Sequence, residues 1–375
     1  MNAALKFWRF VTIYGVGRTV FKAAGRLRVG LPSLSLRRAP ADIGLIGCGQ
    51  FAFATIGYFL RQALGRRIRA CYDIDPKAQA TLARAMHVEA QPADAESLLA
   101  DPALRTVYIA SNHASHADYA VRALARGLDV YVEKPIAVTH AQLAALTRAA
   151  AQSRGRVFAG YNRPFSGAVR RLRREIAIDP TGGFSMQCFV SGHMLAADHW
   201  YRRPEEGTRI CGNVGHWLDL FVHVLAWRSL PERLDISLTW ADAREPDDNC
   251  TIAIASDRGD LFSIMLTSRC EPFEGINESI QLQHGDTICK IDDFRSVTIW
   301  RGERLVKQRF WPKDVGHRLA ILQPFRSEPA RDWNEVVQST LLMLHIADMV
   351  REGRRHDTFS FAQARARLAS ESPTP

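Results

Sequence analysis

The sequence predicts an α/β protein in which a doubly wound parallel sheet precedes a domain with a large, mostly antiparallel open sheet. Two observations support this architecture. From residue 43 to about residue 160, short apolar runs alternate with helical patterns, as in successive βαβ units. Beyond residue 161, strand-like runs follow one another with turn signals between them. The length of 375 residues suits about two domains.

The predicted elements divide the chain into a basic N-terminal extension at 1–40, a parallel-sheet domain at 41–160, an α/β domain at 161–353 and a polar tail at 354–375. In the parallel-sheet domain we expect strands at 43–47, 67–73, 106–110, 129–133 and 156–160, with helices at 50–64, 76–87, 115–127 and 139–153. In the following domain we expect an antiparallel meander at 184–194, 234–241, 249–256, 260–267, 277–284, 286–291 and 295–300, with helices at 164–176, 213–227 and 329–352. The tail could hold a short helix at 360–370.

The net charge of +10 is concentrated in residues 1–40, which carry eight Lys or Arg residues and no acid. Because the remainder is near neutral, the charge does not argue for nucleic acid. The extension could contact an anionic membrane or a partner, remain a solvated leader, or form a helix packed on its own protein. Its longest uncharged stretch, 10–17, is too short to span a bilayer. Arg18 and Lys22 also interrupt any signal-peptide core.

The seven cysteines lie far apart and form no C-x-x-C pair. This spacing fits a reducing compartment, and we expect a cytoplasmic protein, which could be peripheral to the inner face of the membrane. No residues have metal-ligand spacing, so we expect no metal.

A G-x-G-x-x-A turn follows the first predicted strand, with Gly47, Gly49 and Ala52 at its defining positions. Gly47 permits the tight turn, Gly49 the close approach of a phosphate, and Ala52 the packing of helix on strand. Amide groups at the start of the helix, near Gln50 and Phe51, would then face a pyrophosphate. The turn predicts a Rossmann domain that binds a dinucleotide.

Asp73 ends the second predicted strand, 26 residues after Gly47, where an acid accepts the adenosine ribose hydroxyls. A carboxylate there favours NAD, because it would repel the 2′-phosphate of NADP by about 4 kcal/mol at an effective dielectric near 20. The alternative is that Asp73 and Asp75 only cap the helix that starts near Pro76.

At this point the chain resembles the Gfo/Idh/MocA oxidoreductase family. The likeness is carried by the Gly47 turn and by the segments Ser111-Asn112-His113-Ala114-Ser115-His116, Glu133-Lys134-Pro135 and Gly160-Tyr161-Asn162-Arg163-Pro164-Phe165. Within the family it is most similar to the sugar-dehydrogenase-like half of bi-domain oxidoreductases of polysaccharide biosynthesis, through residues 197–200 and 209–219. In those relatives a zinc-type dehydrogenase domain precedes this one, and here the basic extension stands in its place.

The resemblance implies catalytic roles for Lys134 and His216, with one group polarising the reacting oxygen and the other acting as acid/base. Both roles require a group within about 3 Å of the reacting hydroxyl. Lys134 could instead be a surface amine, and His216 a core histidine beside Trp217. The resemblance also places several residues along the cofactor, namely Ser111, Asn112, His116, Glu133, Lys134 and Arg163.

Further residues are candidates for substrate binding, namely Asn162, His199, Trp200, Arg202, Arg203, Asn213 and Asp219. Arg202 and Arg203 could grip a diphosphate or lie in a solvated loop, and Asp219 could orient His216 or pair with an arginine. The chain departs from its relatives near His216. Glu206-Gly207-Thr208 replaces a glycine triplet, and Gly212 and Asn213 stand where relatives carry acids.

These features lead us to expect an NAD-dependent oxidoreductase that moves a hydride between nicotinamide and a secondary alcohol or ketone of a sugar or nucleotide sugar. The expected setting is polysaccharide or glycoconjugate biosynthesis. The alternative is a catalytically impaired NAD-binding regulator or scaffold of a glycan-assembly system. By family analogy, the protein forms a homo-oligomer.

Overall fold

The computed structural model describes residues 3–29, 40–271, 273 and 275–370, with side chains from residue 5 onward. Residues 30–39 of the predicted extension lie outside these ranges. The chain divides into two units. The first comprises 1–137, 141–160 and 317–333, and the second comprises 138–140, 161–316 and 334–375.

The first unit contains a five-stranded parallel sheet with the order β2-β1-β3-β4-β5. Its strands are β1 Ile43–Ile46, β2 Ile68–Tyr72, β3 Thr106–Ile109, β4 Asp129–Val132 and β5 Val157–Ala159. Its helices are α1 Ala3–Leu27, α2 Tyr58–Leu64, α3 Pro76–Met86, α4 Ala95–Leu99, α5 His116–Ala125, α6 His140–Gln152 and α9 His317–Ile321. β1 and β3 are buried along their whole length, as strands covered on both faces must be. The predicted parallel sheet is therefore confirmed.

The second unit contains a nine-stranded sheet with the order β13-β12-β11-β10-β6-β9-β8-β7-β14. Its strands are β6 Ser185–Ser191, β7 Leu234–Trp240, β8 Cys250–Ser256, β9 Leu261–Thr267, β10 Asn277–His284, β11 Thr287–Asp292, β12 Ser296–Arg301, β13 Arg304–Arg309 and β14 His356–Phe359. Its helices are α7 Gly167–Glu175, α8 Gly215–Ala226, α10 Trp333–Arg351 and α11 Phe361–Ser370. The large, mostly antiparallel sheet is as predicted. The simple meander is not, because β6 lies between β10 and β9 and pairs with β9 in parallel.

Several segments differ from the sequence-based prediction. β13 and β14 are edge strands with exposed polar residues, so neither shows the apolar alternation of a half-buried strand. β14 lies in the stretch we predicted to be a polar tail, where it pairs with β7. Helix α11 in the same stretch agrees with the short helix predicted at 360–370. Residues 317–333 belong to the first unit rather than the second, and the hydroxyl of Tyr108 donates to the carbonyl of Ile321 at 2.6 Å.

The N-terminal extension forms helix α1, which is interrupted at Gly15 by a φ of 75° and a ψ of 162°. Its second half packs on the first unit, because Ala24 lies in that unit's apolar core and Phe21 packs against it. For this half, the alternative of a helix packed on its own protein is confirmed. Within the described part of the chain, no helix is both long enough and apolar enough to cross a membrane.

Candidate functional site

Each of the two glycines of the G-x-G-x-x-A turn is present for a different physical reason. Gly47 has a φ of +91°, and a Cβ there would lie 2.4 Å from the carbonyl oxygen of Ala110. Gly49 has no described atom within 4 Å of its Cβ position. Ala52 is fully buried between helix and strand. The turn therefore needs Gly47 for its own geometry, whereas Gly49 leaves open space on the side of the loop where a phosphate can approach the backbone.

The helix after this turn begins with a π-helical segment, Ala52–Gly57, and continues as α2. Phe51 is partly exposed, at 37%. The amide of Gln50 donates to the carbonyl of Lys22 on α1 at 3.3 Å. The N–H groups in the first turn of a helix and the positive end of its dipole suit an anion. Direct contacts of Gln50 and Phe51 with a cofactor stay predictions.

Asp73 connects the end of β2 to the glycine turn. Its Oδ2 accepts from the Cys48 N–H at 2.5 Å, and its Oδ1 accepts from the Asp75 N–H at 2.9 Å. The capping alternative holds for Asp75, whose side chain accepts from the Lys77 N–H and caps α3. Asp73 instead holds the backbone of the turn, so its half-buried carboxylate lies beside the predicted pyrophosphate loop.

The segment 111–116 follows β3 as a tight turn leading into α5. His116 is buried, with Nδ1 2.8 Å from the Pro135 carbonyl oxygen and Nε2 3.1 Å from the Ser111 carbonyl oxygen. Burial lowers the pKa of His116 to about 4, so the ring is neutral at pH 7. A neutral imidazole carries one N–H and can donate to only one of these carbonyls. His116 thus fixes the position of the chain around Lys134, while Asn112 is exposed.

Glu133 is buried directly before Lys134. Its Oε1 accepts from the hydroxyl of Tyr131 at 2.8 Å, and its Oε2 accepts from the Lys134 N–H at 3.3 Å. Burial raises the pKa of Glu133 from 4.5 to about 7, although the hydrogen bond from Tyr131 and the charge of Lys134 oppose this. A Cβ on Gly160 would lie 2.8 Å from Oε2, which explains the glycine there. The half-buried side chain of Lys134 therefore starts from a backbone fixed by buried groups.

The raised pKa of Glu133 predicts a pH-dependent stability difference for Glu133→Gln. The folded chain keeps this proton up to about pH 7, whereas the unfolded chain releases it near pH 4.5. Native stability is therefore lost as pH rises through this window, by roughly 3 kcal/mol in total. We expect Glu133→Gln to lack that loss, so urea unfolding from pH 4 to pH 8 should increasingly favour the variant. The exposed control Glu89→Gln should follow the native curve. If the stability of Glu133→Gln changed with pH in parallel with that of the native chain, the raised pKa of Glu133 would be contradicted.

His216 lies in the first turn of α8, directly after a π-helical segment, Ile210–Val214. Its side chain is half-buried, whereas Trp217 is fully buried, and a catalytic role for His216 stays a prediction. The ring of Tyr161 meets the imidazole edge-on, with ring centroids 6.4 Å apart. A Cβ on Gly215 would lie 2.6 Å from the sulfur of Met343. This start of α8 is thus held closely against α10.

The turn before this helix has two successive residues in a left-handed conformation. Gly207 and Thr208 both have positive φ, at 78° and 59°. Glycine adopts this conformation without steric cost, whereas it is unusual for a β-branched residue. Thr208 therefore holds a backbone conformation that glycine would adopt more readily.

Arg163 takes part in a buried network beneath α8. Its guanidinium binds both oxygens of Glu278, at 2.8 and 3.0 Å, and the indole of Trp217 donates to Oε2 at 2.7 Å. Arg163 and Glu278 are 5% and 2% exposed. This arrangement gives Arg163 a structural role, and a contact with the nicotinamide stays a prediction. Asn162 is buried too, and its amide donates to the Val315 carbonyl at 2.5 Å.

The two neighbouring arginines of the predicted substrate loop have different surroundings in the structure. Arg202 binds the carboxylates of Glu245 and Asp248, the latter at 2.9 Å. Arg203 is exposed. Arg209 is almost fully buried and binds the other oxygen of Asp248 at 3.0 Å. Arg202 is therefore engaged by acids, which argues against its free use for a diphosphate, whereas Arg203 is accessible.

The remaining candidates divide by burial. The ring of His199 stacks on Trp200 with centroids 5.9 Å apart, and burial lowers the pKa of His199, with Arg202 acting in the same direction. Asn213 is buried within the π-helical segment. Asp219 is 1% exposed and accepts from the hydroxyl of Ser339 on α10 at 2.8 Å. This bond ties α8 to α10, so a role for Asp219 in orienting His216 stays a prediction.

Comparison with known proteins identifies the parallel-sheet unit. The family model described as an oxidoreductase family with an NAD-binding Rossmann fold, Gfo/Idh/MocA, matches residues 41–161. These residues form a Rossmann domain of the Gfo/Idh/MocA type. Inositol 2-dehydrogenase of Ralstonia nicotianae is 35% identical over 193 residues, which cover 50% of this chain and 53% of that protein. The chain thus spans about half the length of the curated relatives it matches.

Solved structures extend the likeness to the second unit. GenD2 from gentamicin A biosynthesis, solved in complex with NAD, has a TM-score of 0.70 at 17% identity and covers 88% of this chain and 99% of its own. The UDP-N-acetylglucosamine 3-dehydrogenase GnnA of Acidithiobacillus ferrooxidans has a TM-score of 0.68 at 16% identity, with 84% and 99% covered. At these identities the similarity shows the fold alone. The likeness to bi-domain enzymes of polysaccharide biosynthesis stays a prediction.

Sequence reasoning missed two residues that support this fold around the candidate site. Arg209 lies in the segment 209–219, and the sequence predicted no role for it. In the structure its guanidinium donates to Asp248 and to the carbonyl of His193. Glu278 holds both Arg163 and Trp217. The signal for Glu278 was a carboxylate within an otherwise uncharged strand, since a buried acid almost always has a cationic partner.

Proposed function

We propose that the chain catalyses reversible hydride transfer between a nicotinamide coenzyme and a secondary alcohol or ketone of a sugar or nucleotide sugar. The glycine turn carries this proposal, because Gly49 leaves open space beside a backbone that Asp73 holds. The dehydrogenases among the relatives, which act on inositol and on a UDP-linked amino sugar by name, support the substrate class. The coenzyme supplies the hydride acceptor or donor when it is bound.

Asp73 supports NAD as the preferred coenzyme. A carboxylate at the end of β2 can accept from a ribose hydroxyl but repels a phosphate. Ile74, the next residue, is 81% exposed and has room for a longer side chain. We expect Asp73→Ser with Ile74→Arg to shift the ratio of NADH to NADPH affinity toward NADPH by at least about tenfold. Ile74→Arg alone keeps the carboxylate and should shift the ratio less. If fluorescence titrations found the same ratio of NADH to NADPH affinity for the double variant as for the native chain, the predicted contact of Asp73 with the ribose hydroxyls would be contradicted.

Lys134 and His216 are the proposed catalytic groups. An ammonium can donate a hydrogen bond to the reacting oxygen and stabilise its developing negative charge. An imidazole titrates near neutrality and can take up the hydroxyl proton. The fixed backbone at Glu133 and the half-buried position of His216 support these roles.

Coenzyme-linked turnover tests the proposal. We expect the native chain to reduce NAD⁺ with at least one member of a panel of inositols, free sugars and UDP-sugars. His216→Asn should keep its NADH affinity while turnover falls by about 100-fold, because the acid/base group is lost. His87→Asn is the matched control, because His87 is exposed and has no predicted role in the site. Tight coenzyme binding with no turnover on any substrate, in either reaction direction, would favour the regulatory or scaffold alternative.

We also propose a cytoplasmic site of action within polysaccharide or glycoconjugate biosynthesis, with peripheral membrane contact through α1. The exposed Leu5 and Trp8 lie near the exposed cations Lys6 and Arg9, a combination that suits an anionic bilayer surface. Cosedimentation with phosphatidylserine vesicles, compared with neutral vesicles, tests this contact. Trp8→Ser should weaken it, and recovery only in the supernatant would exclude it.

Homo-oligomer formation through the open sheet is a further proposal. Phe189 and Met265 are paired neighbours on β6 and β9 and are 47% and 46% exposed. Leu261, also on β9, and Ile288, on β11, are exposed too. Exposed apolar patches of this kind mark association surfaces. Sedimentation velocity of Phe189→Asp should show a smaller species than the native chain, and an unchanged sedimentation coefficient would oppose this surface.

A further inference from the structure

The end of helix α1 lies against the helix that follows the glycine turn. Phe21 contacts the rings of Phe53 and Tyr58, with centroids 6.2 and 5.2 Å apart. A Cβ on Gly25 would lie 2.9 Å from Phe53 and 3.1 Å from the side-chain oxygen of Gln50. Only a residue without a side chain lets α1 approach this closely. The last turns of α1 are therefore fixed relative to the glycine turn by packing.

Arg28 extends from this helix end to the glycine turn itself. Its Nη1 donates to the carbonyl oxygen of Cys48, between Gly47 and Gly49, at 2.8 Å. The N–H of Cys48 is meanwhile held by Asp73. The backbone N–H and carbonyl groups of Cys48 are thus both hydrogen-bonded. The guanidinium of Arg28 lies on the loop that is predicted to bind a dinucleotide phosphate.

The backbone conformation of Arg28 indicates that its side chain has a function. Arg28 has a φ of 54° directly after α1, and the N–H of Val29 returns to the Ala24 carbonyl at 3.1 Å. This is a helix end at which glycine is the usual residue. The chain instead places an arginine here, in a left-handed conformation that is unfavourable for a residue with a side chain. Sequence analysis gave Arg28 no role beyond its contribution to the basic extension.

Among the described residues, no acid pairs with the charge of Arg28. Within residues 3–29, 40–271, 273 and 275–370, no carboxylate forms an ion pair with it, and its one hydrogen bond uses one of five N–H donors. A guanidinium binds phosphate oxygens through two parallel N–H groups. We propose that Arg28 binds a phosphate group of the dinucleotide, so that α1 forms part of the coenzyme site. This inference rests on the proposed use of a nicotinamide coenzyme.

Calorimetric titration of NADH and NADPH tests the assignment. We expect Arg28→Gln to bind NADH about 10- to 100-fold more weakly than the native chain, as for the loss of a hydrogen bond to a charged group. Arg28→Lys keeps the charge and should recover part of the affinity. Arg26→Gln is the matched control, because Arg26 is exposed on the same helix end and should bind within about twofold of native. Thermal unfolding of each variant checks that the fold is kept.

The two coenzymes distinguish the phosphate. An equal loss for NADH and NADPH assigns Arg28 to the diphosphate, and a loss confined to NADPH assigns it to the adenosine 2′-phosphate. Native affinity of Arg28→Gln for both coenzymes, with binding by the native chain intact, would overturn this inference and leave the proposed function standing. Failure of the native chain to bind either coenzyme would overturn both.

Discussion

Gly49→Val is expected to remove measurable coenzyme binding while leaving the fold intact. No described atom lies within 4 Å of the Cβ position, and Gly49 is not among the glycines with positive φ, so the free protein accommodates a side chain. A branched side chain would instead occupy the space that a phosphate needs to reach the backbone. Loss of two hydrogen bonds to a charged group, at about 1.5–3 kcal/mol each, weakens binding by roughly 1,000-fold.

Calorimetry with NADH checks this expectation, and thermal unfolding supplies the control. The unfolding temperature of Gly49→Val without coenzyme should stay within about 2 °C of native, since surface substitutions change stability by about 0.5 kcal/mol or less. Gly49→Ala should bind with intermediate affinity. If Gly49→Val bound NADH with native affinity, the glycine turn would be excluded as the phosphate site. The main observation behind the proposed function would then be lost.

Gly47→Ala is expected to act through the fold instead. Its Cβ would lie 2.4 Å from the Ala110 carbonyl oxygen, and its φ of +91° is unfavourable for any residue with a side chain. Overpacking and backbone strain each cost about 1–3 kcal/mol. We therefore expect Gly47→Ala to lower the free energy of unfolding by roughly 3 kcal/mol or more, as measured by urea denaturation.

Gly259→Ala separates the two contributions. Gly259 has a φ of +79° but no described atom within 4 Å of its Cβ position, so alanine there meets backbone strain without a steric clash. Its cost should stay near 1 kcal/mol. If Gly47→Ala were no more destabilising than Gly259→Ala, the close contact with Ala110 would not be the reason for the glycine.

The parallel-sheet unit was predictable because its signals are local. The turn at Gly47 follows a fully apolar strand, and the cap at Asp75 precedes Pro76, so each element can be recognised from a few neighbouring residues. The same holds for most strands of the second sheet. Period-two alternation indicates which face of a strand is buried. It does not indicate the neighbouring strand, so the insertion of β6 between β10 and β9 could not be predicted.

The candidate site was less predictable because the partners of its charged residues are remote in sequence. Arg202 and Arg163 were assigned to ligands from their motifs, yet each binds an acid on another element, Asp248 and Glu278 respectively. Burial decided the outcome in both cases, since a desolvated cation requires a nearby anion. Lys134 and His216, by contrast, retain half-buried side chains, and their catalytic roles stay predictions.

The return of residues 317–333 to the parallel-sheet unit has a practical consequence for anyone dissecting this protein. A version cut after residue 160 would retain all five strands, yet the fully buried hydroxyl of Tyr108 would lose the Ile321 carbonyl. Gln323 would also no longer donate to the carbonyl of Ala159, at 3.1 Å. An autonomous amino-terminal half should therefore be produced by splicing 317–333 behind residue 160 through a short connector, not by simple truncation.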